Sequence, residues 1–183
     1  MKKTIGFGIL VLLIITGCND ENNTTPNSGE ATITSELILE GSTYTFNGFS
    51  FGQGKVIFYN PASGNMAPDL VVIPDNSGPE IIAILQILNN VQEKQLMSLV
   101  AEFEDFSSAE NFFNSYSEIS DTLSYRVWAK PTLENQIWII KTLSSNFAKI
   151  LIKDVLTYLD GTKPYAEVTF KWVYQPDGSM IFN

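Results

Sequence analysis

Few side chains in this sequence could do chemistry. It holds one thiol, Cys18, and no histidine. Without imidazole the chain lacks the commonest general base, the usual partner of a serine or cysteine nucleophile, and the commonest zinc and haem ligand. By residue type, Glu102, Glu104 and Asp105 could form an acid–base cluster. A carboxylate does that work only where burial or a neighbouring charge moves its pKa, and a run of adjacent charges is typical of a solvated face. The glycine-rich run Gly48 to Gly54 lacks the lysine and following helix of a phosphate loop, so it reads as a turn between aromatic strands. The chain is not expected to be an enzyme.

What precedes Cys18 gives that thiol a context. Lys2 and Lys3 form a short positive segment, and Ile5 to Ile15 is uncharged and mostly apolar. That stretch is shorter than the roughly 20 apolar residues a membrane-spanning helix needs. Small Thr16 and Gly17 come just before the cysteine. The arrangement resembles the lipobox of bacterial lipoproteins. The resemblance implies that residues 1–17 are a signal peptide and that Cys18 becomes a lipid-modified N-terminus. The lipid would then hold the protein on a membrane. Cys18 would supply the attacking sulfur, and the small residues would let a peptidase reach the bond. With that sulfur consumed, no disulfide and no thiolate site is left. Asn19-Asp20-Glu21-Asn22 resembles the acidic signals that carry some lipoproteins to the cell surface, so an outer-membrane lipoprotein facing outward is expected.

The elements behind Cys18 divide in two. From Asn19 to Glu30 there is no aliphatic or aromatic side chain, so residues 18–30 read as a flexible linker that cannot bury enough surface to offset ordering. Residues 31–183 are long enough for one domain with one core. The chain has 20 acidic and 11 basic residues, and losing Lys2 and Lys3 brings the net charge from −9 to −11. A surface this acidic repels phosphate backbones, so no nucleic-acid partner is expected.

The local pattern is mostly β. Thr43 to Phe51 and Lys55 to Tyr59 are aromatic and β-branched around Gly52-Gln53-Gly54, a strand–turn–strand signal. Asp69 to Ile73 is a short apolar run closed by Pro74, and Ile81 to Leu88 is too uniformly apolar for periodicity to choose strand or helix. Leu96, Leu99, Val100 and Phe103 fall at helical spacing, so Val91 to Phe103 is expected to be a helix. Ser107 and Glu110 have the spacing of a capping box, which predicts a short helix through Tyr116. Leu123 to Ala129 is strand-like until Pro131. Gln136 to Thr142 and Phe147 to Lys153 read as a hairpin about Leu143 to Asn146, and Asp160-Gly161 as another turn. Ala166, Val168, Phe170, Trp172 and Tyr174 alternate with more polar neighbours, the mark of a half-buried antiparallel strand. An antiparallel β-sheet domain with one or two inserted helices follows.

Asn135 to Asp154 and Tyr165 to Gly178 resemble the closing strands of the HmuY-type haem-carrier lipoproteins, and Phe46 to Val56 with Pro68-Asp69-Leu70 resembles that family's early strands more loosely. The resemblance implies an HmuY-like fold, haem or another tetrapyrrole as ligand, and an outer-membrane receptor as partner. With no histidine available, iron would have to take methionine sulfur, as some relatives of that family do, or tyrosinate or water. Met66, in a polar loop, and Met97, beside Leu96 in an apolar run, are the candidates, while Met180, next to the C-terminus where fraying is common, is expected to be structural or inert. Trp128, Trp138 and Trp172 could line a cleft, although tryptophans on alternating strands belong by default to the core. The alternative is a surface lipoprotein of the same fold that serves protein–protein interaction or binds another ligand, without haem.

Overall fold

The computed structural model describes residues 27–88 and 94–182. In chain order the strands are β1 (Ser28–Thr34), β2 (Leu37–Glu40), β3 (Thr43–Ser50), β4 (Lys55–Tyr59), β5 (Leu70–Asp75), β6 (Ile82–Ile87) and β7 (Met97–Glu102). After helix α1 (Phe106–Ser115) come β8 (Trp128–Ala129), β9 (Gln136–Lys141), β10 (Phe147–Asp160) and β11 (Lys163–Gln175). The fold is mostly β, antiparallel throughout, with a single short helix among the described residues.

One sheet has the order β1-β11-β10-β9-β7; the other runs β2-β3-β5-β6-β8, with β4 also on β3. Phe46 pairs with both Leu37 of β2 and Tyr59 of β4, while Phe49 pairs with both Val56 of β4 and Leu70 of β5. Hence β4 takes one edge of β3, and β2 and β5 share the other in succession. The sheets face each other, β1, β10 and β11 lying against β3, β5 and β6. The core between them holds Phe49, Phe51, Leu70 and Leu85 from one side and Ile33, Trp138, Ile150, Phe170 and Trp172 from the other. Alternation along β11 sends Ala166, Val168, Phe170, Trp172 and Tyr174 into that core, as expected of a half-buried strand.

β9 and the first half of β10 are buried on both faces. Their second face is covered by α1, where Ala109 and Phe113 pack on Ile137 and Leu151, and by Ile119 and Phe182, which pack on Ile139 and Phe147. Two covered faces explain why these strands read as continuous apolar runs. Ile82–Ile87, which periodicity left undecided, is a strand whose burial alternates along its length. It lies inside its sheet between β5 and β8.

Four expectations are corrected. The helix expected over Val91 to Phe103 is instead β7 from Met97, with residues 89–93 outside the described ones. A bulge between Leu99 and Ala101 shifts the register against β9. It turns Leu99 to the inter-sheet core and Val100, Ala101 and Phe103 to the helix side, so an irregular strand imitates helical spacing. The helix cap is Asp105, not Ser107: its carboxylate accepts the Ser108 amide at 2.9 Å, and Glu110 pairs with Lys171 instead. Asp105→Ala should lower the midpoint of chemical denaturation, and Ser107→Ala should lower it much less. Between Leu123 and Ala129 only Trp128–Ala129 is strand, with Arg126 bridging to Met97. Finally, the expected linker is shorter at its C-terminal end, because Ser28, Gly29 and Glu30 already pair with β11. Backbone pairing at a sheet edge needs no apolar side chain. A Cβ on Gly29 would meet the Trp172 indole at 3.3 Å, so the small residue admits the ring.

Candidate functional site

Three connections lie at one end of the sandwich: the β2–β3 turn, the β5–β6 segment (76–81) and the β10–β11 turn. Their roots are tied together by polar side chains. Where β1 ends, the Thr34 amide donates to Asn47 Oδ1 at 2.9 Å and Asn47 Nδ2 donates to Thr34 Oγ1 at 2.8 Å, joining β1 to β3. The Ser35 amide donates to the Ala166 carbonyl at 2.8 Å, and the Ala166 amide donates back to Ser35 Oγ at the same distance. Thr157 Oγ1 donates to the Ile81 carbonyl at 3.1 Å, which fixes the β10–β11 ribbon to the β5–β6 segment.

Beyond these roots the ribbons outgrow the sandwich and carry apolar side chains into solvent. In an antiparallel pair directly opposed residues share a face, so Leu37, Leu39, Tyr44 and Phe46 form one stripe, with the Tyr44 and Phe46 rings 6.2 Å apart. Leu37 and Leu39 are 58% and 69% exposed. On the other ribbon Leu156, Tyr158 and Leu159 are exposed, and Ile73 adds to them from β5. The Tyr158 and Tyr165 rings lie 4.6 Å apart. Tyr165 donates its hydroxyl to Glu167 at 2.8 Å, and partial burial together with that carboxylate pushes the phenol up to about 12. It is therefore a neutral donor at ordinary pH.

Asp75 and Lys130 form an ion pair of 2.5 Å at the same end, in the wall of a cleft of about 310 Å³ with Ser77, Pro79, Glu80 and Ile82. The bond from Lys130 and the Ser77 amide hold the Asp75 carboxyl down at about 2. A carboxylate so stabilised is a poor base and is no acid at neutral pH. A second cleft of about 210 Å³, at the opposite end, is lined by Asn27, Tyr174, Pro176 and Asp177 among others. Asp177 is likewise held low, by the amide of Ser179 first and by Gln175. No group of three metal-ligating side chains occurs among the described residues.

The structure separates the residues singled out by sequence. Cys18 lies outside the described residues. Met66 is in the β4–β5 loop, 66% exposed, its sulfur accepting from Gln53 Nε2 at 3.1 Å. Met97 is wholly buried on β7, in the core between the sheets. One thioether is open to solvent and the other enclosed, so they share no cavity. Neither is among the residues lining the two clefts. At Met180 the backbone is tied down: the Ile119 amide donates to its carbonyl and the Phe182 amide to that of Ser117, each at 2.8 Å. Glu102 accepts from Gln136 at 2.7 Å, Glu104 is exposed, and the Asp105 carboxyl is held low by the Ser108 amide it caps. Trp138 and Trp172 are core, and Trp128 is partly exposed.

Sequence reasoning missed the ribbon residues Leu37 to Leu39 and Leu156 to Leu159, because apolar residues in strand patterns read as core. One signal was available: β10, at 14 residues, is longer than the β9 it pairs with. Compared with known proteins, the chain matches no family model and no curated sequence.

Proposed function

We propose that this chain is a lipid-anchored, non-enzymatic binding domain on the outer membrane, facing the cell surface, with the hairpin end of its sandwich as the surface that meets a protein partner. The observation that carries this reading is the gathering of exposed apolar side chains from β2, β3, β5 and β10 at one end. Single exposed leucines need no explanation, whereas a concentration of them marks a contact surface. The chain enters the domain at the other end, where Ser28 pairs with Val173. Ten residues of tether from Cys18 reach at most about 35 Å. The 14-residue β10 spans about 45 Å, so an anchored domain can hold its hairpins outward. Among the described residues no helix is long and apolar enough to cross a membrane.

Haem, implied by the strand resemblance to HmuY-type carriers, is the second reading, and Met66 is the exposed sulfur that bears on it. Methionine favours ferrous iron, so both redox states belong in the titration. The expected result for the full chain carrying Cys18→Ala is no saturable Soret shift in either state. A shift that saturates and disappears in Met66→Ala would restore the haem reading.

A photo-crosslinking amino acid tests the interaction reading when placed at Leu39, at Leu159, or at Ser144 in the turn at the opposite end. In intact cells that make this protein, the first two positions should each give a discrete adduct and Ser144 none. Adducts from no position, or equally from all three, would overturn it.

A further inference from the structure

We infer that the partner is held by strand addition: an extended polypeptide segment with alternating apolar and basic side chains pairs along the outer edge of β2. This rests on the hairpin end being the contact surface, and it goes further by naming the form and chemistry of the occupant.

The backbone geometry selects the form. β2 has a hydrogen-bonded neighbour, β3, along one edge only among the described residues. Gly41, at φ 64°, and Ser42 make a two-residue connection between Glu40 and Thr43. In such a hairpin the residues flanking the turn are the hydrogen-bonded pair, so the next pair, Leu39 and Tyr44, points its backbone groups outward. Leu39 therefore offers its amide and carbonyl to the open edge. β5 is met by β3 at Leu70 alone, which leaves its edge from Val71 to Asp75 without a strand beside β2.

The edges at β1, β7 and β8 are defended, and that of β2 is not. β1 presents Glu30, paired with Lys153, and Thr32, bonded to Thr169. β7 carries a bulge, and β8 is two residues long. β2 reads Leu-Ile-Leu-Glu, every residue exposed, with neither bulge, lysine nor proline. An undefended edge that alternates apolar side chains is a template for an incoming strand.

Charge selects the chemistry. Glu36 and Glu40 flank the three apolar residues, and Glu80 and Asp160 stand at the same end. All four are exposed and have no ion-pair partner among the described residues. Lys130 is spent on Asp75, which leaves Lys163 as the cation of the β10–β11 tip. A cationic segment complements this rim, while a second copy of the chain or an anionic bilayer would bring like charges together.

The probe is a labelled peptide of alternating valine and lysine, compared with one of the same composition in two blocks, on the full chain carrying Cys18→Ala. The alternating peptide should bind at least about tenfold tighter by anisotropy, with the Leu37 and Leu39 amides shifted in NMR spectra. Leu39→Pro removes the outward donor and Leu39→Lys adds repulsion. Each should weaken binding at least about tenfold with the melting temperature unchanged. Equal affinity for both peptides, or full affinity in both variants, would overturn strand addition. So would a dimer in ultracentrifugation that Leu39→Lys abolishes, since the occupant would then be a second copy. If the cell crosslinks persist while the alternating peptide fails to bind, this inference falls and the contact surface stands. If the crosslinks are absent as well, both fall.

Discussion

Phe49→Ala should be the most damaging single truncation in this domain, lowering stability by about 3–5 kcal/mol. Phe49 is 1% exposed and comes from β3, yet its ring contacts cross to the other sheet. Phe170 lies at 5.4 Å and Trp172 at 5.0 Å, with Phe51 at 5.1 Å on its own side. Truncation removes buried apolar area and leaves a cavity walled by rings that belong to a continuous strand and cannot collapse far. For a domain of this size the loss corresponds to a fall in melting temperature of roughly 10 °C. Urea unfolding measures it, the midpoint dropping with little change in slope. Phe58→Ala is the control, because Phe58 is 64% exposed on the neighbouring strand, and it should stay within about 0.5 kcal/mol of wild type. Equal effects of the two truncations would contradict the packing of the sheets.

Lys149→Met should be nearly as costly, for a polar reason. Lys149 is 4% exposed on β10, and its ammonium donates to the carbonyls of Phe113 and Tyr116, both at 2.7 Å, where α1 ends. Its Nζ stands 4.8 Å from the Phe113 ring centroid and 5.2 Å from that of Phe182. No carboxylate pairs with it among the described residues, so the negative end of the helix and the faces of two rings stand in for a counter-ion. Methionine fills similar space but leaves both carbonyls without this donor. The expected net loss is about 3 kcal/mol, after allowing for the relief of burying a charge. The pH dependence gives a second readout. Burial pushes the Lys149 ammonium below its ordinary 10.5, so in the alkaline window under that value the unfolded chain holds the proton more tightly. Lys149 then adds stability as pH rises toward 10.5. Burial pushes the phenols of Tyr116 and Tyr125 above 10, and their contribution is lost as pH climbs through that range, the opposite sign. Those phenols are common to both proteins. The deficit of Lys149→Met should therefore widen from neutral pH toward pH 10, and a constant deficit would mean that Lys149 titrates normally.

Read residue by residue, the sequence alone determined the β-rich class and most hairpins, because those are short-range properties. Alternation from Ala166 to Tyr174, the turn at Asp160-Gly161 and the Leu143 to Asn146 connection each need only a few neighbouring residues to be specified. The absence of histidine also needs no fold to be read, and it removes triads and imidazole–metal chemistry at once. What the tertiary structure decided depends on which surfaces meet. β7 imitates a helix because its bulge sends Leu99 to one core and Val100 to another, and neither core exists until the sheets and α1 have packed. Asp105 and Ser107 are both competent caps, and Asp105 prevails where Phe106 begins the helix and Glu110 turns to Lys171. Met66 and Met97 look alike as thioethers, and only burial separates a surface sulfur from a core one. Leu37, Leu39 and Leu159 carry the same side chain as the buried Leu70 and Leu85. Hydrophobicity reports that a residue gains by leaving water. Whether another sheet lies opposite to receive it is settled by where each ribbon outgrows the sandwich, and at this end the ribbons outgrow it.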